Sequence, residues 1–111
     1  MARTQSLSVD QAAATTATLI AALTGYKIQV VGLLLTVENG ALGVNSTLQD
    51  ATANTVRLTL TSEVATAVVV YSIMGSPDNP LFETAHGEGL ELVTGTAALV
   101  AGLIVWRYVQ N

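Results

Sequence analysis

The segment Ala97–Trp106, AALVAGLIVW, passes through ten residues without one polar side chain. A strand with one face in water alternates apolar and polar residues, and an amphipathic helix repeats every 3.6 residues. This stretch does neither, so something apolar must lie on both of its sides: a bilayer, the interior of one domain, or the seam between several copies of the chain. It is shorter than the ~20 apolar residues a spanning helix requires, which argues against the bilayer.

The composition favours the seam. The chain has 111 residues, enough for one domain with one core. Half of them are hydrophobic and only 11% are charged, against about 25% charged in an ordinary soluble domain. A lone domain of this size leaves roughly a third of its unfolded surface exposed, and few charges are available to cover it. Part of that surface is therefore expected to be covered by another chain. Four basic and eight acidic residues give a net charge of -4 with no basic run, which sets nucleic-acid binding aside. The absence of cysteine excludes disulfides and thiolate zinc sites. Arg3 is followed by TQSLSVDQ, and AAATTATLIAAL is interrupted by threonines, so the start does not read as a signal peptide.

Along the chain the period is that of strands. TQSLSVD places Leu7 and Val9 on one side of a strand with a wet face. Residues 12–23 mix alanines with Thr15, Thr16 and Thr18, leaving helix and strand both open, with strand preferred. After Gly25, YKIQVVGLLLTVENG forms a long strand in which Val31, Leu33, Leu35 and Val37 oppose Gly32 and Leu34, and Asn39-Gly40 predicts a tight hairpin into a return strand over Ala41–Leu48. VRLTL turns Val56, Leu58 and Leu60 inward and Arg57, Thr59 and Thr61 outward. Ala65–Met74 is again apolar on both faces and ends at Gly75, GSPDNP is a loop, GLELV is a short strand, and Gly95 marks a corner before the final long strand to Val109.

About eight strands with regular turn signals predict an all-β, single-domain antiparallel β-sandwich or jelly roll spanning residues 12–111, preceded by an N-terminal arm at residues 1–11. Three of the strands are apolar on both faces, so one face of each is expected to meet a sister subunit. The oligomer interface assigned on this basis is Val31, Leu33, Leu35, Val69, Tyr71, Leu103 and Val105.

Catalytic signals are sparse, and no enzyme is expected. The one histidine, His86, lies in FETAHGEG near Glu83 and Glu88, a grouping that could hold a metal or assist a hydrolysis, but polar residues beside glycines are ordinary turn material. GxGxxG and P-loop patterns are missing, the serines sit in no nucleophile motif, and Asp50 with Glu63 is one of several acid pairs whose proximity spacing cannot decide. No cofactor and no metal are expected. Trp106 and Tyr108 share a face, with Tyr26 and Tyr71 elsewhere; packing is preferred over a sugar platform for them.

The order TGYKIQVVGLLLTV, a polar middle, a proline-bearing loop and PLFETAHGEGLELVTGTAALVAGLIVWRYV resembles small β-rich virion proteins of tailed bacteriophages, through Phe82, Glu83, Thr84, Ala85, Gly87, Glu88, Leu90, Leu92, Gly102 and Tyr108. The resemblance covers roughly Ala22 to Val109. It implies a capsid decoration, or cement, protein built as a β-sandwich homotrimer on the capsid surface of the virion, with the major capsid protein as partner and neither membrane nor nucleic acid bound. The LVTGTAALVA corner is more apolar than the family pattern, and the arm before Ala12 has no counterpart in it. That arm, through Arg3, Thr4, Gln5, Leu7 and Val9, is the segment expected to reach a neighbouring capsid subunit by strand addition over Ala2–Asp10. The competing expectation is a trimeric tail or fibre domain whose SPDNP or QDATAN loop binds a host-surface glycan.

Overall fold

β-Branched and alternating segments broken by glycine, proline and asparagine leave little room for helix, and a computed structural model, describing residues 3–39, 45–61 and 68–110, contains strands and no helix among the described residues. The strands are β1 (Gln5–Gln11), β2 (Thr16–Ile20), β3 (Tyr26–Asn39), β4 (Asn45–Asp50), β5 (Val56–Thr61), β6 (Val68–Met74), β7 (Phe82–Glu83), β8 (Leu90–Val93) and β9 (Ala98–Gln110). They form two antiparallel sheets. The long-strand sheet runs β1-β9-β3-β6, with β7 also on β3, and the short-strand sheet runs β2-β8-β4-β5.

The pairings are nested. First pairs with last, β1 with β9; inside that lie β2 with β8, β3 with β6, and β4 with β5. The inner faces of the two sheets share one core: Ile28, Val30, Leu33, Leu35, Val37, Val100, Ile104 and Trp106 meet Ile20, Leu48, Leu60, Leu90 and Leu92. Residues 12–23 contain strand β2, in line with the preferred alternative. Among the described residues β3 pairs with β6, β7 and β9 whereas β4 pairs with β5 and β8, so the strands expected to flank a hairpin at Asn39-Gly40 belong to different sheets. Gly40 and the first residues of the expected return strand lie outside the described residues, as do Ala65–Ala67 of the expected sixth strand. In β5, Leu60 is fully buried and Leu58 packs against the core, but Val56 is half exposed at the strand's start.

Polar groups tie the sheets together where apolar contact thins out. Tyr71 of β6 donates its hydroxyl to the Thr61 carbonyl of β5 at 2.7 Å and accepts the Thr61 N–H at 2.8 Å. Gln11 of β1 donates to Leu92 O of β8 at 2.8 Å; its Oε1 is a buried side-chain oxygen with no partner among the described residues. Asp50, completely buried at the end of β4, accepts a bidentate pair from Arg57 at 3.0 and 2.7 Å and the Ala85 N–H at 3.2 Å. A desolvated carboxylate is tolerated only when it is paired and hydrogen-bonded. Asp50 meets that condition, and the same contacts hold the Arg57 guanidinium above its ordinary value, chiefly through their hydrogen bonds.

Gly102 sits in β9 between Val9 of β1 and Leu35 of β3 with φ 143. A Cβ there would be driven into the Leu34 carbonyl oxygen. Gly102→Ala is expected to cost about 2 kcal/mol or more of stability, since strain at a positive φ adds to a backbone collision. Asp50→Ala is expected to cost about 3 kcal/mol, at the lower end for a broken buried pair because Arg57 retains some access to water. Urea denaturation of both variants measures these losses.

Candidate functional site

The outward face of the long-strand sheet is the surface that most departs from a solvated one. On β9, alternation sends Ala98, Val100, Ile104 and Trp106 inward, leaving Leu99, Ala101, Leu103 and Val105 outward. Register carries the same face across β3 and β6: Leu34 stands opposite Leu103 on one side and Ser72 on the other, Thr36 opposite Ala101 and Val70, and Gly32 opposite Val105 and Met74. Leu34 and Leu99 are each 48% exposed, Val68 56%, Val70 59% and Met74 69%. Met74 lies across Gly32, where its thioether occupies the space a Cβ would take. Large apolar side chains gathered on one exposed face make it the candidate interaction surface of the subunit.

Both ends of the band are polar. At one end Asp10 and Glu38 flank Ala101 and Leu99. At the other, Glu83 of β7 accepts from Lys27 Nζ at 2.9 Å and from Gln29 Nε2 at 2.7 Å, while Gln29 Oε1 accepts from Arg107 Nε at 2.6 Å. These hydrogen bonds, Lys27 first and Gln29 second, hold the Glu83 carboxyl below its ordinary value. The polar ends confine the apolar band to the middle of the sheet, where Thr36 and Ser72 are interspersed among the aliphatic side chains.

The interface residues expected from sequence fall into two groups. Leu103 and Val105 lie on the outward face. Leu33 and Leu35 are corrected: they are 1% and 0% exposed in the subunit's own core, out of reach of a second chain. Val69 and Tyr71 stand opposite Val37 and Leu35 and share their inward side, and Val31 is buried. For the β3 residues the cause is a β-bulge. The ladder to β9 runs Val30 with Trp106 and then Gly32 with Val105, so Val31 is an extra residue and the parity of β3 inverts after it. The exposed apolar residues of that face absent from the expectation are Leu34, Leu99, Val68, Val70 and Met74. One signal in the sequence pointed to Leu34: the polar positions of β3 are odd at Lys27 and Gln29 but even at Thr36 and Glu38, which a strand without a bulge cannot place on one face.

The arm is also placed differently. Gln5–Gln11 is paired along its length with Val100–Trp106 of the same chain, with Val9 buried and Leu7 packed on the core, while Arg3 and Thr4 precede it exposed. The apolar alternation that suggested a partner strand is satisfied at home.

The FETAHGEG segment serves as a clasp. Thr84 Oγ1 accepts the Ile28 N–H at 2.9 Å, Glu88 Oε1 accepts the Thr52 and Ala53 N–H groups of the β4–β5 loop at 2.8 and 3.3 Å, and His86 is exposed in the turn. Glu83 and Glu88 therefore bond to different elements. Of the acid pair Asp50 and Glu63, the first is the buried partner of Arg57 and the second lies outside the described residues. Among the described residues no cluster of three or more potential metal-ligating side chains occurs, and there is no helix long and apolar enough to cross a membrane. Comparison of the chain with protein-family models, with curated proteins and with solved structures gave no match.

Because Glu83 titrates below the ordinary glutamate value of about 4.3, its stabilisation is fully present above that value and is lost as pH falls through the lower folded-state value. Glu83→Gln is expected to reduce stability by about 0.5–1 kcal/mol near pH 7, the range for a partly exposed pair. The difference from the unsubstituted chain should shrink as pH falls below the ordinary glutamate value and vanish once Glu83 is protonated in the folded state, as followed by denaturant titration across the acid range.

Proposed function

We propose that the chain is a non-enzymatic virion subunit of a tailed bacteriophage, a capsid decoration or cement protein. It assembles as a homotrimer on the capsid surface and clamps neighbouring copies of the major capsid protein against the pressure of packaged DNA. The observation that carries this reading is the apolar outward face around Leu34, Leu99 and Val70. Burying a large aliphatic side chain completely is worth ~1.5–3 kcal/mol, so five that remain about half exposed offer on the order of 5 kcal/mol per subunit. Association costs an estimated 4–15 kcal/mol in lost freedom. Two such faces buried against each other offer on the order of 10 kcal/mol, inside the range of that cost, so the face is large enough to support self-association. The number three rests on the resemblance.

The nested order of strand pairs supports the jelly-roll form of the sandwich, an architecture shared by viral capsid and lectin domains. The residues that carry the phage-protein resemblance support the reading from another side, since Glu83, Thr84, Glu88 and Gly102 all have architectural roles. Contact with the coat is assigned to the outer edge of β1, with Arg3 and Thr4 beside it, because that strand ends the long-strand sheet. Strand addition there uses main-chain hydrogen bonds and needs no release of the arm.

Light scattering of the purified chain is expected to give about three times the 11.5 kDa chain mass. Leu34→Asp with Leu103→Asp should weaken association at least about 100-fold by burying unpaired charge, while far-ultraviolet circular dichroism stays that of a β protein. A single-chain mass at high concentration would overturn the assembly. Immunogold microscopy of particles that locates the chain away from the head would overturn the capsid assignment.

A further inference from the structure

The two ends of the outward apolar face differ in charge. At one end is an open pocket of about 470 Å³, lined by Asp10 and Glu38 together with Thr36, Val68, Leu99 and Ala101. Gln11 and Val100, which also border it, turn their side chains toward the second sheet. Strand alternation puts both carboxylates on the outward face, since their chain neighbours Val9 and Val37 are buried while Asp10 and Glu38 are exposed. Register sets them two strands and two residues apart, a Cα separation of about 12 Å at ~4.8 Å per strand and ~3.3 Å per residue. That gap admits a long side chain between them. No cationic residue lines the pocket.

At the opposite end the same face carries a cation. Arg107 points outward on β9, because Trp106 and Tyr108 on either side of it pack on the core. Its Nε donates to Gln29 Oε1 at 2.6 Å and its Nη2 to Pro77 O at 3.2 Å, which leaves three of its five N–H donors. Both acceptors are neutral, and the nearby Glu83 is engaged by Lys27 and Gln29. The ion pairs among the described residues are Lys27 with Glu83 and Arg57 with Asp50, so Arg107, Asp10 and Glu38 have no ionic partner there, and Asp78 beside Pro77 does not pair with Arg107. Within one chain the cation and the acidic pocket cannot meet. From Ala101, opposite Asp10, to Arg107 is six residues of β9, about 20 Å at ~3.3 Å per residue.

An arginine suits both parts of the pocket. Its aliphatic stem covers Val68, Leu99 and Ala101, and its guanidinium meets the carboxylates. The cation that shares a face with the pocket is Arg107, so a single contact between two copies buries the apolar middle and pairs the charged ends at once. We propose that Arg107 of each copy enters the Asp10–Glu38 pocket of the neighbouring copy. The pairing rests on the reading of this face as a subunit contact and goes beyond it by fixing which ends of two copies meet. Opposite ends meeting head to tail is also the type of contact that closes into a ring when the rotation between copies allows it.

The test is sedimentation equilibrium of the full chain and its variants over a concentration series. Asp10→Lys with Glu38→Lys, both at exposed positions, is expected to weaken association about 100-fold, because like charges then face each other. Arg107→Glu alone should do about the same. All three substitutions in one chain recreate the pairing with its signs exchanged and should return association to within about tenfold of the unsubstituted chain. Arg107→Glu also loses the bond to Gln29 and faces Glu83, so a neutral cycle accompanies it. Arg107→Gln, and separately Asp10→Asn with Glu38→Gln, should each weaken association about tenfold, and the two losses should not add when combined. If the triple variant does not fold, that cycle decides. The pairing is overturned, with the assembly itself intact, if the unsubstituted chain associates but the acidic-end variants associate equally well, if a folded triple variant fails to recover, or if the neutral losses add. A chain that stays single at high concentration overturns the assembly and the pairing together.

Discussion

The fold depends on the antiparallel ladder between β3 and β9, which extends from Tyr26 with Gln110 to Asn39 with Ala98. Each is a long strand, and side by side they form the spine to which β1 and β6 attach as edges. Their inward residues supply most of the long-strand sheet's share of the core, and their outward residues form the middle of the exposed apolar face. One pairing therefore organises both the interior of the subunit and its contact surface. The close approach of the two backbones explains why Gly102 stands on β9 where it does: any side chain there would wedge the strands apart at Leu34.

Two kinds of adhesion meet in this sheet. Inside, Leu33, Leu35 and Val37 lock against the second sheet and define the fold. Outside, Leu34, Leu99 and Leu103 present a surface of the same chemistry without a covering layer in the isolated subunit. The outward set is flanked by Asp10 and Glu38 at one end and by the Lys27, Gln29, Glu83 and Arg107 network at the other. Apolar contact provides attraction with little direction, and charged borders add orientation by penalising misaligned partners. The exposed face and its borders together suit a contact that is both adhesive and oriented.

Much of this was legible in the sequence, and what was not has identifiable physical causes. The long strands, the corner at Gly95 and the two-sided apolar character of β9 followed from period and composition. The orientation of β3 did not, because one extra residue at Val31 reverses every later side chain, and a bulge leaves only the faint trace of polar positions changing parity. Asn39-Gly40 looked like a hairpin because the dipeptide records a local preference, whereas the choice of sheet is made by partners far along the chain, β9 for β3 and β8 for β4. The buried role of Asp50 was invisible for the same reason: its ligands Arg57 and Ala85 come from two different segments. Tyr26 and Tyr108 read as separate aromatics because their meeting is a matter of register between strands remote in sequence.

The nested pairing also orders events in time. β9 follows every other strand in the chain, yet it occupies the middle of its sheet, between β1 and β3. Leu99, Leu103 and Val105 arrive with it, so the exposed apolar face is completed only when that strand has slotted home. Under the assembly proposed above, that order would keep a half-made chain from offering the completed face to sister copies, so that finishing the subunit precedes joining it to others.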